Sequence, residues 1–382
     1  MAFGIICEYN PFHNGHLHQI NEIKKRSSEP IICVMSGNFT QRGEVAVLDK
    51  YERARGALEC GADLVVELPV PFCMASAEYF AAAGVHILAD LGVDKLCFGS
   101  ECADAQKLER IAQIASSDEF KKKCESLSRS EGGAAAYFAL LEGESGVGDI
   151  SSNDILGIEY TKAILKNSYK MEICPIKREG SAYRDNTLSS GSHPSASAIR
   201  EEMARGNFEN VAKFVPESTY GALKNGEIAS VEHISDGILL LLRMADAQKL
   251  DVAISDVGLV NRILTLSHEC CSLAELWERL QTKKYTASSL RRAILYILIG
   301  VKQSDLEAMP IYTNLLAANE RGREYLSSIR KKDTGIKVIT KPADAQASRQ
   351  SELNKRADAL YTMCLSSKKE SGIYLRKNPT IK

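Results

Sequence analysis

Five short apolar runs, each followed by a stretch of helical pattern, govern what the first half of this chain can become. They are FGIICE (3–8), PIICVMS (30–36), DLVVELP (63–69), KLCFGS (95–100) and MEICPI (171–176). Each is apolar without alternation, the pattern of a strand covered on both faces. Asp49 suits the N-cap of a helix that runs through KYERARGALECG and stops at Gly61. Further helices are expected over about 75–91, 105–129 and 132–143. Such alternation implies an α/β fold with a doubly wound parallel sheet and right-handed crossovers. Ligands of such sheets bind outside the carboxyl ends of the strands.

The character changes after SGSHPSASAIREEMARGN (190–207). Strand-like runs almost disappear, and ISDGILLLLRM, VNRILTLSHE, SLAELWERLQ and ASSLRRAILYILIG read as helices. Two domains are therefore expected: residues 1–204, and a mostly helical 205–382, in which DTGIKVITKPADAQASRQ holds a short strand and a loop. Charge divides the same way. Residues 1–160 carry 14 Lys and Arg against 24 Asp and Glu, so the net charge of -1 hides a basic remainder. That asymmetry suits a polyanion meeting the second part, or an ordinary basic surface. The 11 cysteines include no CxxC pair, and Cys7, Cys33 and Cys97 lie inside apolar runs, as reduced core thiols do. No run is long enough to span a bilayer, and no signal peptide is read in FGIICEYN, so a cytoplasmic protein without a membrane partner is expected.

Three of the seven histidines, His13, His16 and His18, fall on one strand-to-helix turn in IICEYNPFHNGHLHQI (5–20). The strand is expected to end near Glu8 and the helix to begin near Gly15. A helix N-terminus offers free N–H groups and partial positive charge, which suit phosphate. Gly15 allows close approach. His13 and His16, three apart, share a face and can donate to phosphate oxygens. A cradle for a nucleoside triphosphate follows; the plain alternative is a loop of surface histidines.

The tetrapeptide HNGH resembles the HxGH signature of the HIGH-type nucleotidylyltransferase superfamily, which includes class I aminoacyl-tRNA synthetases. The resemblance implies a Rossmann-like core that binds ATP and transfers its adenylyl group. HPSASAIRE (193–201) resembles the superfamily's second signature: Ser195 and Ser197 lie at a plausible N-cap, Ile199 packs inward, and Arg200 reaches the β/γ-phosphates. Ala196 and Ala198 stand where other members often carry hydroxyls. EYNPFHNGH, SGNFTQRGE, DLVVELP, FGSE, SNDILGIEY, IKREG and PSASAIR, then GLVNRI and KKYTASSLRR, occur in the order of the tRNA(Met) cytidine acetate ligase family. This resemblance covers nearly the whole chain. It implies that acetate and ATP form acetyl-adenylate and pyrophosphate, and that the acetyl group passes to N4 of the wobble cytidine, C34, of elongator tRNA(Met), releasing AMP.

Carried over residue by residue, the resemblance gives ATP to Cys7, Glu8, Tyr9, Asn10, Pro11, Phe12, His13, Asn14, Gly15, His16, Leu17, His18, Gln19 and Ile20. His13 and His16 meet the phosphates and, with Arg200, are the catalytic candidates. Gly99, Asn153 and Arg178 complete the ATP site, with Ser195 and Ser197. Gly99 and Arg178 follow strands and so lie at the expected crevice; Asn153 reads equally as a helix N-cap. Gln41 and Arg42 are expected at the same crevice, with Lys50 and Arg53 on the next helix, and this segment is expected to help enclose acetate or the reactive phosphate; the plain alternative is a solvated Arg/Lys helix face. Magnesium is expected to arrive with ATP, since no carboxylate cluster marks a dedicated site.

RLQTKKYTASSLRR (279–292) has five basic residues and no acidic one. Lys283, Lys284, Tyr285, Arg291 and Arg292 suit RNA backbone contact with some stacking. The tail SSKKESGIYLRKNPTIK extends that face or frays. A small-molecule nucleotidylyltransferase of cofactor synthesis is the rival enzyme; a non-enzymatic RNA-binding protein is the rival of another class.

Overall fold

A computed structural model describes residues 1–127, 134–146, 150–178, 194–254, 256–282, 284–330 and 335–382. The five expected strands form: β1 (Phe3–Cys7), β2 (Ile31–Ser36), β3 (Leu64–Leu68), β4 (Lys95–Ser100) and β5 (Glu172–Lys177). Between them run α1 (Asn14–Arg26), α2 (Lys50–Glu59), α3 (Ala77–Asp90), α4 (Ala105–Ser116), α5 (Asp118–Leu127), α6 (Ala134–Ser145) and α7 (Ser152–Lys166). The single helix expected over 105–129 is two, divided at Ser117, whose hydroxyl accepts from the Phe120 N–H. Strands β1 to β5 are mutually parallel in the order β5-β4-β1-β2-β3. The chain moves outward from β1 through β2 to β3, then crosses to β4 on the other side. That reversal puts the ligand crevice beyond the carboxyl ends of β1 and β4.

After α8 (Ala196–Ala204), α9 (Phe208–Val211) and α10 (Glu217–Asn225) come α11 (Ser235–Met244), α12 (Val257–Glu269), α13 (Leu273–Leu280) and α14 (Ala287–Ile299). Helices α11 to α14 bury Ile238, Leu242, Ile263, Leu276, Leu290 and Ile294 in a core of their own. The helical body does not continue to the C-terminus. Past α15 (Gln303–Glu307), β6 (Tyr312–Ala318) joins the sheet antiparallel to β3, followed by α16 (Glu320–Arg330), β7 (Lys337–Ile339), α17 (Arg349–Cys364), α18 (Ile373–Arg376) and β8 (Thr380–Ile381). Both β7 and β8 pair with β6. The second part is mostly helical, as expected, with β7 as the short strand foreseen; β6 is the strand that was not. YTNLLAA is wholly buried but short of β-branched residues, so its apolar run did not declare a strand. The loop expected after β7 is present, and α17, which Ser348 caps, follows it.

The basic tail docks. Lys377 Nζ lies 2.6 Å from Asp49 and Lys382 Nζ 2.9 Å from Glu59, while β8 extends the sheet. Part of the charge asymmetry is thereby neutralised within the molecule. Helix α7 packs on α3, α4 and β4, and meets β4 at Gly157, where an added Cβ would stand 2.5 Å from Phe98 Cε2. Gly157→Ala is expected to lower the unfolding free energy by about 1–3 kcal/mol through overpacking. A urea midpoint equal to wild type would show that the ring yields freely.

Candidate active site

Beyond the ends of β1, β4 and β5 lies a cavity of about 510 Å³. Its wall includes Cys7, Glu8, Tyr9, Asn10, His13, Gly15, His16, His18 and Gln19 from the first turn, then Gly99, Asn153 and Arg178, and Ser195, Ser197 and Arg200. Gln41 and Arg42 line it as well. Four helix N-termini border this space: α1 through Gly15 and His16, α7 through Ser152 and Asn153, α8 through Ala196 and Ser197, and α14 through its cap Thr286 and Ser288. Each contributes unsatisfied N–H groups and partial positive charge. Helix α1 has no acid in its first turn and ends in Lys24, Lys25 and Arg26, so its dipole is opposed by no side chain at the start.

His13 is the N-cap of α1. Its Nδ1 accepts from the Gly15 N–H at 3.0 Å, and His16 Nδ1 accepts from the His13 N–H at 3.2 Å. An imidazole accepting at Nδ1 in its neutral form carries its proton on Nε2, so both rings are Nε2–H donors. The rings stack with centroids 3.7 Å apart, and Tyr9 and Phe12 close around His16 at 4.8 and 5.5 Å. Burial, then His13 and Arg178, hold His16 well below its ordinary pKa, so it stays neutral. Burial also raises the Glu8 carboxyl, which accepts from the Gln41 N–H at 2.5 Å.

Five residues of the first turn do not line the cavity. Phe12 and Ile20 are core residues, Pro11 is buried, Leu17 packs against the core, and Asn14 Nδ2 donates to Lys213 O at 3.2 Å. Asn153 is not the N-cap of α7: Ser151 is, and Asn153 Nδ2 donates to Glu101 Oε1 at 2.6 Å. Arg178 Nε stands 3.8 Å from the same carboxylate, and an added Cβ at Gly99 would meet Arg178 Cγ at 3.2 Å. Glu101, which sequence reasoning missed, therefore sets Asn153 and Arg178 side by side.

Lys50 and Arg53 leave the expected crevice. Lys50 is buried between Glu67 and Asp358, at 2.8 and 3.0 Å. Arg53 satisfies carbonyls of Leu48, Ser36, Gly37 and Glu8, and so holds the chain where β1 and β2 end. Ser195 caps α8 and Ile199 is buried, as expected. Arg200 donates to Asn10 O at 2.8 Å and to Glu44 Oε2 at 2.6 Å.

The basic segment that runs into α14 splits. Lys284 and Tyr285 both bind Asp256, whose carboxyl they draw down to about 2. Arg291 pairs with Glu44 at 2.7 Å, and Arg292 reaches Gln41 O at 3.1 Å and lines the cavity. These cations are held by protein partners instead of standing free on a surface. Lys283 lies outside the described residues, as do Glu179, Gly180 and His193 of the two motifs that contain them. Gly43, with φ +70°, lets the turn 40–44 meet α14: an added Cβ would stand 2.7 Å from the Arg292 N.

Two donors in this cavity, Asn10 Nδ2 and Ser152 Oγ, are buried with no hydrogen-bond partner among the described residues. Such atoms call for a polar ligand. The donors, histidines and arginines suit a triphosphate, while Phe80, Phe98, Leu156 and Tyr160 give one apolar wall for a base. Among the described residues no group of three or more His, Cys, Asp or Glu could hold a metal. No helix of the described residues is long and apolar enough to cross a membrane.

The chain matches the family model described as HIGH Nucleotidyl Transferase over residues 1–374. It is 37% identical to the tRNA(Met) cytidine acetate ligase of Acetivibrio thermocellus over 95% of both chains, and 34% identical to that of Pediococcus pentosaceus over 99% of both. A crystal structure of Thermotoga maritima TmcAL in apo form superposes with a TM-score of 0.90 at 30% identity, covering 100% of this chain and 99% of that one. A second, bound with alpha-thio ATP, gives 0.88 at 29% with the same coverage.

Proposed function

The chain belongs to the tRNA(Met) cytidine acetate ligase family of HIGH nucleotidyl transferases, and from that premise we infer that it joins acetate to the wobble cytidine of elongator tRNA(Met) using ATP. The observation that carries this reading is the convergence of four helix N-termini, two neutral imidazole donors and four arginines on one cavity. An acetate oxygen attacks the α-phosphorus of ATP, and pyrophosphate leaves. The cytidine N4 then attacks the acyl carbon, AMP departs, and N4 gives up one proton.

The protein needs no covalent nucleophile for either step. It supplies alignment and stabilises charge that grows on phosphate oxygens. His13 and His16 donate from Nε2 to the phosphates, and Arg200 with Arg178 offsets the charge of the departing pyrophosphate. Asn10 and Ser152 acquire the partners they lack. Magnesium, carried by ATP itself, fits a wall whose two carboxylates, Glu8 and Glu44, are already engaged. RNA meets the helical body and the cavity mouth in the cytoplasm, with Lys284, Tyr285, Arg291 and Arg292 on the path.

The test is ATP–pyrophosphate exchange by purified protein. Exchange is expected with acetate and without RNA, with acetyl label passing to added tRNA(Met). Exchange with a phosphorylated cofactor precursor, and none with any carboxylate, would overturn the reading in favour of a small-molecule nucleotidylyltransferase.

A further inference from the structure

Beside the ATP cavity lies a second cavity of about 440 Å³, lined by Arg42, Glu44, Ser197, Arg200, Glu201, Ala204 and Arg291. The two share Arg42, Glu44, Ser197 and Arg200, so what occupies one adjoins what occupies the other. The three arginines come from three parts of the chain: the turn after β2, α8 and α14. One carboxylate stands between two of them, with Glu44 Oε2 2.6 Å from Arg200 and Oε1 2.7 Å from Arg291. Arg42 feels the same group: burial lowers its basicity, while Glu8 and Glu44 raise it and Arg200 and Arg291 lower it.

Two oxygens of one acid, each on a different guanidinium, match how a phosphodiester presents its two free oxygens to arginine. Glu44 follows Gly43, in a left-handed conformation, and its side chain is only 23% exposed. We propose that Arg42, Arg200 and Arg291 form a phosphate site for the RNA backbone beside the reacting cytidine, and that the Glu44 carboxylate occupies this site until the RNA arrives. The proposal rests on the ligase reading, because an acceptor nucleotide that places its base against the acyl-adenylate must place its phosphates just outside that cavity. Displacing Glu44 leaves three cations facing Glu201 alone among the lining carboxylates, a balance that favours an incoming anion.

An alternative source of the same oxyanion chemistry is the pyrophosphate end of ATP, and the experiment separates the two. tRNA(Met) affinity is measured against salt concentration, and acetate-dependent ATP–pyrophosphate exchange is measured without RNA. Arg291→Ala is expected to weaken tRNA binding at least fivefold and reduce the salt slope by about one. Its KM for ATP should change less than its tRNA affinity does, since Arg291 lines the second cavity and not the ATP cavity. Arg291→Lys should keep the salt slope. Glu44→Gln should tighten tRNA binding severalfold. The proposal is overturned if Arg291→Ala raises the KM for ATP or pyrophosphate while tRNA affinity and slope hold, which assigns the site to the triphosphate. It is equally overturned if Glu44→Gln weakens tRNA binding. Wild-type protein lacking acetate-dependent exchange would instead defeat the ligase reading, a different result from any of these.

Discussion

Replacing His16 by alanine lowers acetate-dependent ATP–pyrophosphate exchange by about 10²–10³-fold, the range for loss of one preorganised donor to a developing oxyanion. The expectation comes from geometry. His16 Nδ1 is taken by the His13 N–H, Tyr9 and Phe12 fix the ring, and Nε2–H is the atom left to donate. The loss should fall on kcat more than on the KM for acetate. Because burial, His13 and Arg178 keep the ring neutral, it does not switch off as pH falls from 8 toward 6.5. The sign for stability follows. In the unfolded chain the same ring takes a proton near its ordinary pKa of about 6.5, while in the folded chain it does not. His16 therefore costs stability as pH falls below that value, and His16→Ala should blunt the acid sensitivity of the urea midpoint while exchange falls by the stated factor. Exchange within threefold of wild type would remove His16 from the chemistry.

The fold and the first turn were readable because their signals are local. A continuous apolar run marks a strand buried on both faces, and glycine between two histidines after such a run marks a helix that begins at a cavity. Asp49, Ser195 and Ile199 followed from capping and periodicity for the same reason. What the sequence concealed is set by pairing across distance. Glu44 meets Arg291 across 247 residues, and no spacing rule announces such a pair. Nor did spacing announce that a glycine turn brings Arg292 onto the Gln41 carbonyl beside the ATP cavity. Lys50 and Arg53 read as crevice cations on a helix face, and both turned inward, each matched by buried acceptors that come from other strands and helices. The second segment of sheet was hidden for a related reason. Leucine and alanine in β6 fit a helix as well as a strand, and only β3 beside them decides.

The inward turn of Lys50 carries its own expected result. Burial opposes its charge, yet the carboxylates of Asp358 and Glu67 hold its pKa well above the ordinary value. Removing the ammonium leaves two buried carboxylates with no counter-charge, a class of change that costs about 3–5 kcal/mol. Lys50→Met fills the space and removes the charge, so its urea midpoint at pH 8 should fall accordingly. Two carboxylates sharing one site relieve their repulsion by taking up a proton, so the defect should shrink as pH is lowered toward 5.5. Wild type moves in the same direction but less, because Lys50 opposes the shift. Burial raises Asp358 to about 6 although Lys50 draws it down, so its contribution is full below about pH 4 and is lost as pH rises through 6. The variant also reports on the site. Asn38 donates to Asp358 at 2.9 Å and accepts from the Lys50 N–H at 2.9 Å, and its carbonyl accepts from the Ala46 N–H at 3.0 Å. That chain of bonds braces the turn bearing Gln41, Arg42 and Glu44, so Lys50→Met should lower exchange even where the protein is fully folded. An unchanged midpoint at pH 8 with normal exchange would show that the ion triad neither stabilises the fold nor braces the turn; a normal midpoint with impaired exchange would leave bracing as its function.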